Sequence, residues 1–262
     1  MSGGDATPLA AERKRIIREI LGREGVVRSA ELKELLHASI VTIRSDLQEL
    51  ERAGVCELVW GGAVSKRPSP EREAFLTERS KIHADIKQRI GKRAAQLVRS
   101  GQTIVIDAGS TTIELVDHLP RNLEYLQVVT PALNVAAAAA QFPNVELIMP
   151  GGVLRNLTLS LVGPSVIRAL EMVNADIAFL ASGGFSIEYG VTTSNLLDVE
   201  VKRAIAHCGA KIVLMADSTK FGVVRSLTVV PMNAVDILIT DDRLDAQDAQ
   251  ALEKLNIEVQ RV

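Results

Sequence analysis

Aromatic residues are scarce in this 262-residue chain: five Phe, two Tyr and one Trp, 3% of the whole. Single-stranded nucleic acid is gripped largely by bases stacked on aromatic faces, so the shortage argues against that mode of recognition. Cysteine is scarcer still. Cys56 and Cys208 stand far apart in sequence, which argues against a disulfide framework and fits a reduced compartment. They read as small buried residues or unreactive surface thiols. The four histidines (His37, His83, His118, His207) show no metal-ligand spacing with Cys, Asp or Glu, so no metal and no cofactor is expected. No secretory leader and no apolar run of membrane-spanning length appears, and a cytoplasmic protein is the expectation. Excess charge of one sign is also missing. The chain has 30 Lys and Arg against 32 Asp and Glu, and residues 1–67 alone hold 11 against 10. The chain is no polycation, so any reading of DNA contact must rest on local geometry.

Hydrophobic residues make up 47%, enough for a sizeable core. The length suits one large domain or two smaller ones. The first sixty residues have helical periodicity. In "LAAERKRIIREILGREG", Leu9, Arg13, Ile16, Ile17, Ile20 and Leu21 fall mostly at helical spacing, and Gly25 is a natural stop. "SAELKELLH" offers Ser29 as N-cap and Leu32, Leu35 and Leu36 as one apolar face. In "ASIVTIRSDLQELERAG", Ser39 is an N-cap candidate, Ile40, Ile43, Leu47 and Leu50 form a buried stripe, and Gly54 ends the helix. "VCELVWGGAVSK" alternates around Gly61-Gly62 and predicts a two-stranded ribbon. Residues 65–82 are polar and contain Pro68 and Pro70, the pattern of a linker.

From residue 83 the pattern changes. "TIVID", "LQVVT", "VELIM", "ADIAFLA", "AKIVLMAD" and "AVDILIT" are short apolar runs, with helical stretches such as "DIKQRIGKRAAQLV", "ALNVAAAAAQF" and "LLDVEVKRAIAHC" between them. Strands alternating with helices predict a mainly parallel α/β sheet. The expected organisation is a helical domain with a ribbon at 1–64, a linker at 65–82 and an α/β domain at 83–262.

Two sites follow. If the apolar stripe of the third helix faces inward, Val41, Thr42, Arg44, Ser45 and Gln48 face outward. Arginine bonds guanine bidentately, Ser and Thr reach bases or phosphates, and valine meets a thymine methyl. Three helices with a tight turn before the third, then a ribbon, is the order of a winged helix-turn-helix, whose recognition helix enters the major groove of double-stranded operator DNA by its N-terminal residues. Ser39, Gly61 and Gly62 complete the set. The second site begins at "TIVIDAGSTTIEL". A strand ends in Asp107, and Gly109, Ser110, Thr111 and Thr112 open the following helix in the form of a phosphate cradle. It lacks the Gly-Lys-Ser/Thr of a nucleoside triphosphatase loop. Thr130 and Asn134, then Gly151, Gly152 and Arg155, then Gly190 and Thr192, then Asp217 and Lys220 follow other predicted strands. Ligands of parallel α/β sheets lie at the carboxyl ends of strands, and this set of small polar residues with one lysine suits a sugar phosphate.

"SIVTIRSDLQELERAGVCELVWGGAV" resembles the signature of the DeoR family of bacterial transcriptional repressors through Ser39, Thr42, Ile43, Arg44, Asp46, Leu47, Gly61, Gly62 and Ala63. Ser45 departs from it; many members carry a second arginine there. "FLTERSKIHADIKQRIGKRAA", "IDAGSTT", "GGVLR", "GVTTSN", "VKR" and "DSTKFG" resemble the family's effector domain, with Thr219 where serine is usual. The resemblance implies a ribose-5-phosphate isomerase-like fold that senses phosphorylated sugars. One helix-turn-helix covers a short half-site, so a homodimer or homotetramer on a paired operator is expected. The alternative is a sugar-phosphate isomerase with an appended DNA-binding domain, with Asp107 and Asp217 as acid/base candidates. Against it, "FLASGGFS" has no carboxylates where the isomerases carry a paired acidic motif. The reading is therefore a repressor and not an enzyme.

Overall fold

The computed structural model describes residues 10–24, 26–59, 61–65 and 76–262. The chain divides into two compact units, residues 1–74 and 75–262. Leu9, Gly25, Pro68 and Pro70, to which the sequence reading gives roles, lie outside the described residues.

The first unit runs α1 (Ala10–Glu24), β1 (Val26–Arg28), α2 (Ser29–Leu35), α3 (Ile40–Arg52), β2 (Cys56–Val59) and β3 (Gly62–Ser65). Its core is Ile17, Leu21, Leu32, Leu36, Ile43, Leu47 and Leu50, with Cys56 and Ala63 beneath the strands. Ser39 caps α3, its hydroxyl accepting the Thr42 N–H at 3.1 Å. Gly54, at φ +71°, closes the helix in the left-handed region where glycine is unstrained. Four details differ from the sequence reading. Ser29 is the first residue of α2, not its cap; Arg28 stands there without a side-chain cap bond. Leu35 points out at 59% exposure, because it lies off the α2 face that Leu32 and Leu36 share. Ile40 is only half-buried, being the first residue of α3. The ribbon gains a third strand, in the order β1-β3-β2. β1 is three residues long and shows no alternation, so periodicity does not reveal it.

The second unit contains α4 (Leu76–Lys81), α5 (Ala84–Ala95), β4 (Thr103–Ile106), α6 (Ile113–Asp117), β5 (Leu126–Val129), α7 (Leu133–Ala139), β6 (Val145–Ile148), β7 (Val153–Arg155), β8 (Ser160–Val162), α8 (Pro164–Leu170), β9 (Ile177–Ala181), β10 (Gly184–Ser186), β11 (Gly190–Thr193), α9 (Leu196–Cys208), β12 (Ile212–Met215), β13 (Leu227–Val230), β14 (Ile237–Thr240), α10 (Ala246–Glu253) and β15 (Glu258–Arg261). α4 falls within the stretch read as linker, so the polar composition of "LTERSK" marks a solvated helix and not a connector.

Seven strands form a parallel sheet in the order β15-β14-β12-β9-β4-β5-β6. Alternation sends Ile104, Ile106, Phe179, Val213 and Met215 to one face, against α5, α6 and α7. It sends Val105, Ala178, Leu180, Leu214 and Leu238 to the other, against α8, α9 and α10. Both faces are covered, which is why these strands read as continuous apolar runs. The chain moves outward from β4 through β5 to β6, then returns to lay β9 on the other side of β4 and continues to β15. Strand order therefore reverses between β4 and β9, and their carboxyl ends flank the crevice where such sheets bind ligands. Two antiparallel additions, β7-β8 and β10-β11-β13, complete the unit.

Candidate functional site

On α3, Val41 is 72% exposed; Arg44, Ser45 and Gln48 are also exposed, Thr42 is half-buried, and Ile43, Leu47 and Leu50 lie beneath. The outward set is therefore one face of one helix. Arg44 ion-pairs with no carboxylate among the described residues, so its guanidinium is available to a ligand. Asp46 is different. It is buried, and the Arg13 Nε on α1 donates to it at 2.8 Å. Lys14 reaches Glu49 at 2.6 Å, and the Glu51 carboxylate accepts the Leu58 N–H of β2 at 2.9 Å. The polar residues of α3 thus divide into an exposed outward set and a set that fixes the helix against α1 and the ribbon. Gly61, at φ +85°, makes the β2–β3 turn. Gly62 lies against β1, where a Cβ would stand 1.9 Å from the Val27 carbonyl oxygen. Backbone packing accounts for Gly62, whatever else it contacts.

In the second unit the cradle differs from its expected form. α6 has only five residues and begins at Ile113, so residues 109–112 are turn and not the first turn of a long helix. The Thr112 hydroxyl donates inward to the Asp107 carbonyl at 2.7 Å. Gly109 packs against the end of β9; a Cβ there would meet that of Ala181 at 2.6 Å. The buried hydroxyls of Thr111, in the turn before α6, and Ser182, just after β9, have no hydrogen-bond partner among the described residues. An unsatisfied buried polar group costs about 1–3 kcal/mol, and a bound ligand relieves it.

Asp107 is fully engaged. One carboxylate oxygen accepts the Ala108 N–H at 2.8 Å; the other accepts the Ala181 N–H at 2.9 Å and pairs with the Lys202 ammonium. This ties the ends of β4 and β9 together and commits both carboxylate oxygens of Asp107 to the fold. Lys202, which the sequence reading did not single out, also donates to the Ala181 carbonyl at 3.1 Å. Beyond β12, Asp217 is buried and accepts from the Thr219 hydroxyl. Lys220 lies 3.9 Å from it. The turn holding both is fixed by Asp241, whose carboxylate accepts the Ser218 N–H at 2.6 Å. Burial pushes Lys220 down to about 7; Asp217 opposes the shift, and Arg79, Lys87 and Lys202 add to it. Burial raises the Asp217 carboxyl, but Lys220, the Thr219 hydroxyl, Lys87 and His83 outweigh it and hold the carboxyl below its ordinary value. The ends of β4, β9 and β12 thus bring together two lysines, Lys202 and Lys220, each beside an aspartate.

The other expected site residues do not join this cluster directly. The Thr130 hydroxyl donates to the Ile106 carbonyl at 2.7 Å. Asn134, on α7, keeps a buried side-chain oxygen without a partner. Gly151 and Gly152 lie between β6 and β7, and a Cβ on Gly152 would press Val166 at 2.6 Å. Arg155 pairs with Asp198 of α9 at 2.7 Å. Gly190, at φ +71°, abuts Val230. The Thr192 hydroxyl donates to the Gly184 carbonyl at 2.9 Å and accepts the Arg225 N–H at 2.9 Å. The hydroxyls of Thr112, Thr130 and Thr192 therefore bond backbone groups of the fold.

Both units match models of known domains: a DeoR-like helix-turn-helix domain over residues 13–69 and a DeoR C terminal sensor domain over residues 82–242. The chain belongs to the DeoR family of transcriptional regulators. Among its relatives, the HTH-type transcriptional regulator GolR of Listeria innocua is 34% identical over 234 residues, 89% of this chain and 91% of that protein. GlpR of Haloferax volcanii is 34% identical over 251 residues, 96% and 97% of the two chains. A putative aga operon transcriptional repressor of Escherichia coli O157:H7 is 29% identical over 259 residues, 98% and 96%. Solved structures are similar more loosely. Ribose 5 phosphate isomerase A from Neisseria gonorrhoeae has a TM-score of 0.39 at 15% identity, over 53% of this chain and 54% of its own. The eIF2B beta of Chaetomium thermophilum has 0.44 at 10%, over 83% and 58%. The DeoR-family helix-turn-helix is a DNA-binding unit, and in this chain α3 presents its outward face. Among the described residues, no helix is long and apolar enough to cross a membrane.

Proposed function

We propose that this DeoR-family regulator represses a carbohydrate-utilisation operon and that a phosphorylated sugar, bound at the strand ends of its sensor unit, changes its affinity for the operator. The observation that carries the reading is the enclosed Lys220–Asp217 pair, 3.9 Å apart after β12, on the strand next to the Lys202–Asp107 pair that joins the ends of β4 and β9, where the strand order reverses. A phosphate ester is close to a dianion at neutral pH and offers strong acceptors to ammonium groups. Asp217, Thr111 and Ser182 supply acceptors and donors of the kind that hold sugar hydroxyls. The E. coli relative named as a putative aga operon transcriptional repressor supports the reading as a repressor of an operon.

Thermal unfolding with a panel of sugar phosphates and their unphosphorylated parents tests the ligand class. A ligand at a hundred times its dissociation constant stabilises the folded state by about 2.7 kcal/mol. A sugar phosphate should raise the melting temperature while its parent sugar does not; a panel with no phosphate-dependent shift contradicts the reading.

The reading includes a homodimer or homotetramer, because one helix-turn-helix covers a short half-site and specificity needs two on a paired operator. Light scattering is expected to return at least twice the chain mass. A monomer that binds the operator tightly would contradict it.

A further inference from the structure

α4 is the first described element on the sensor side of the segment that joins the two units. It is held at both ends. At its start, the Leu76 N–H donates to the Leu157 carbonyl in the β7–β8 connection at 2.9 Å, and the Leu76 side chain is buried. At its end, the chain turns through His83, a non-glycine residue at φ +53°, into α5. The turn is fastened by Lys87 of α5. Lys87 is 3% exposed, and its ammonium donates to the carbonyls of Arg79 and Ile82, the latter at 2.6 Å. The Arg79 carbonyl also accepts the Ile82 N–H at 3.3 Å. These carbonyls stand in the last turn of α4 and just after it, where a cation satisfies them well.

An ammonium has three donors. Two are spent on these carbonyls, and the third has no partner among the described residues. The charged groups that Lys87 feels are Asp217, Arg79 and Glu114. Lys220 and Asp217 in turn feel Lys87. Ile86, beside Lys87 on α5, packs in the same apolar cluster as Val213 and Met215 of β12, the strand that leads into Asp217 and Lys220; the ammonium that fastens α4 therefore sits on the helix packed against that strand.

We propose that Lys87 is a further ligand of the anion bound beside Lys220, and that through it an occupied site fastens the last turn of α4. The inference rests on the anion site proposed above. The bound anion takes the free N–H without displacing either carbonyl, so α4 is held more firmly when the site is full. Burial holds the Lys87 pKa below its ordinary value, and a neighbouring anion restores the charged form that grips the carbonyls best. Occupancy of the sensor is thereby converted into order at the element from which the chain leaves for the DNA-binding unit. The anion class is a phosphate group, free or esterified, and the smallest probe is inorganic phosphate.

Hydrogen exchange on the full-length protein tests the inference, followed over residues 76–82 with and without inorganic phosphate, alongside melting temperature. In the wild type, phosphate should raise the melting temperature and slow exchange over 76–82. In Lys87→Met, which keeps the length of the side chain and removes its charge, exchange there should be faster from the start and indifferent to phosphate. A higher melting temperature with unchanged or faster exchange over 76–82 in the wild type overturns the role of Lys87 and leaves the anion site standing. If neither phosphate nor any sugar phosphate shifts the melting temperature, the site falls and this inference with it. Should Lys87→Met fail to fold, the wild-type comparison and Lys87→Gln decide in the same way.

Discussion

A Lys220→Ala chain is expected to bind operator DNA nearly as well as the wild type and to lose the effect of the sugar phosphate on that binding. Lys220 is mostly enclosed, faces Asp217 at 3.9 Å, and is crowded by Arg79, Lys87 and Lys202. No described hydrogen bond commits its ammonium to the fold, so truncating it removes ligand affinity before structure. Effector coupling is typically about 1–3 kcal/mol, or roughly 5- to 150-fold in affinity, and this is what the variant should forfeit. The site also has a pH signature. Burial holds Lys220 near pKa 7, against an ordinary value of 10.5. Between those values the unfolded chain binds the proton more tightly than the folded one. The empty protein should therefore gain stability as pH rises from about 7 toward 10.5. Lys220→Met should flatten that rise, and melting curves across the range would show it. A variant whose operator binding still responds to the effector as the wild type does would remove Lys220 from the site.

Arg44→Ala should weaken operator binding by about 1–3 kcal/mol without altering the folded fraction. Arg44 is exposed on the reading face of α3 and takes no part in the ion pairs that fix the helix. Its loss costs a contact to DNA and none to the fold. Ser39, Val41, Thr42, Ser45 and Gln48 share its end of the helix, and in an alanine series the effects should concentrate there. Fluorescence anisotropy on a labelled operator gives the affinity and thermal unfolding gives the stability. A fall in melting temperature at unchanged affinity would make Arg44 structural.

Much of this was legible in the sequence, because two signals are strong. Continuous apolar runs separated by helical stretches gave six of the seven strands of the parallel sheet; the seventh, β15, reads "EVQR" and lies at an edge with one neighbour, where apolar runs are not required. The stripe Ile43, Leu47, Leu50 placed the outward face of α3 without any tertiary information. What stayed hidden depends on contacts between distant residues. Asp46 belongs to the motif that resembles the family, yet nothing local shows that Arg13, 33 residues earlier, draws it into the interior. Gly62 looks like a turn residue until β1 is found lying against it. Lys202 and Lys87 left a trace that could have been followed. Lys87 falls in the buried stripe of α5 with Ile86, Ile90 and Ala94, and Lys202 falls in that of α9 with Val199, Ile205 and Ala206. A lysine in an apolar stripe is rarely buried without a partner. Conversely, the hydroxyls of Thr112, Thr130 and Thr192 looked like ligand donors because their strand-end positions are right, but neighbouring backbone carbonyls claim them.

The most direct measurement is an operator-binding titration of the full-length wild-type protein, with and without the sugar phosphate that stabilises it best. The account predicts that the ligand shifts operator affinity by roughly 5- to 150-fold, the range of typical effector coupling. A sugar phosphate that binds the sensor unit and leaves operator affinity unchanged would contradict it.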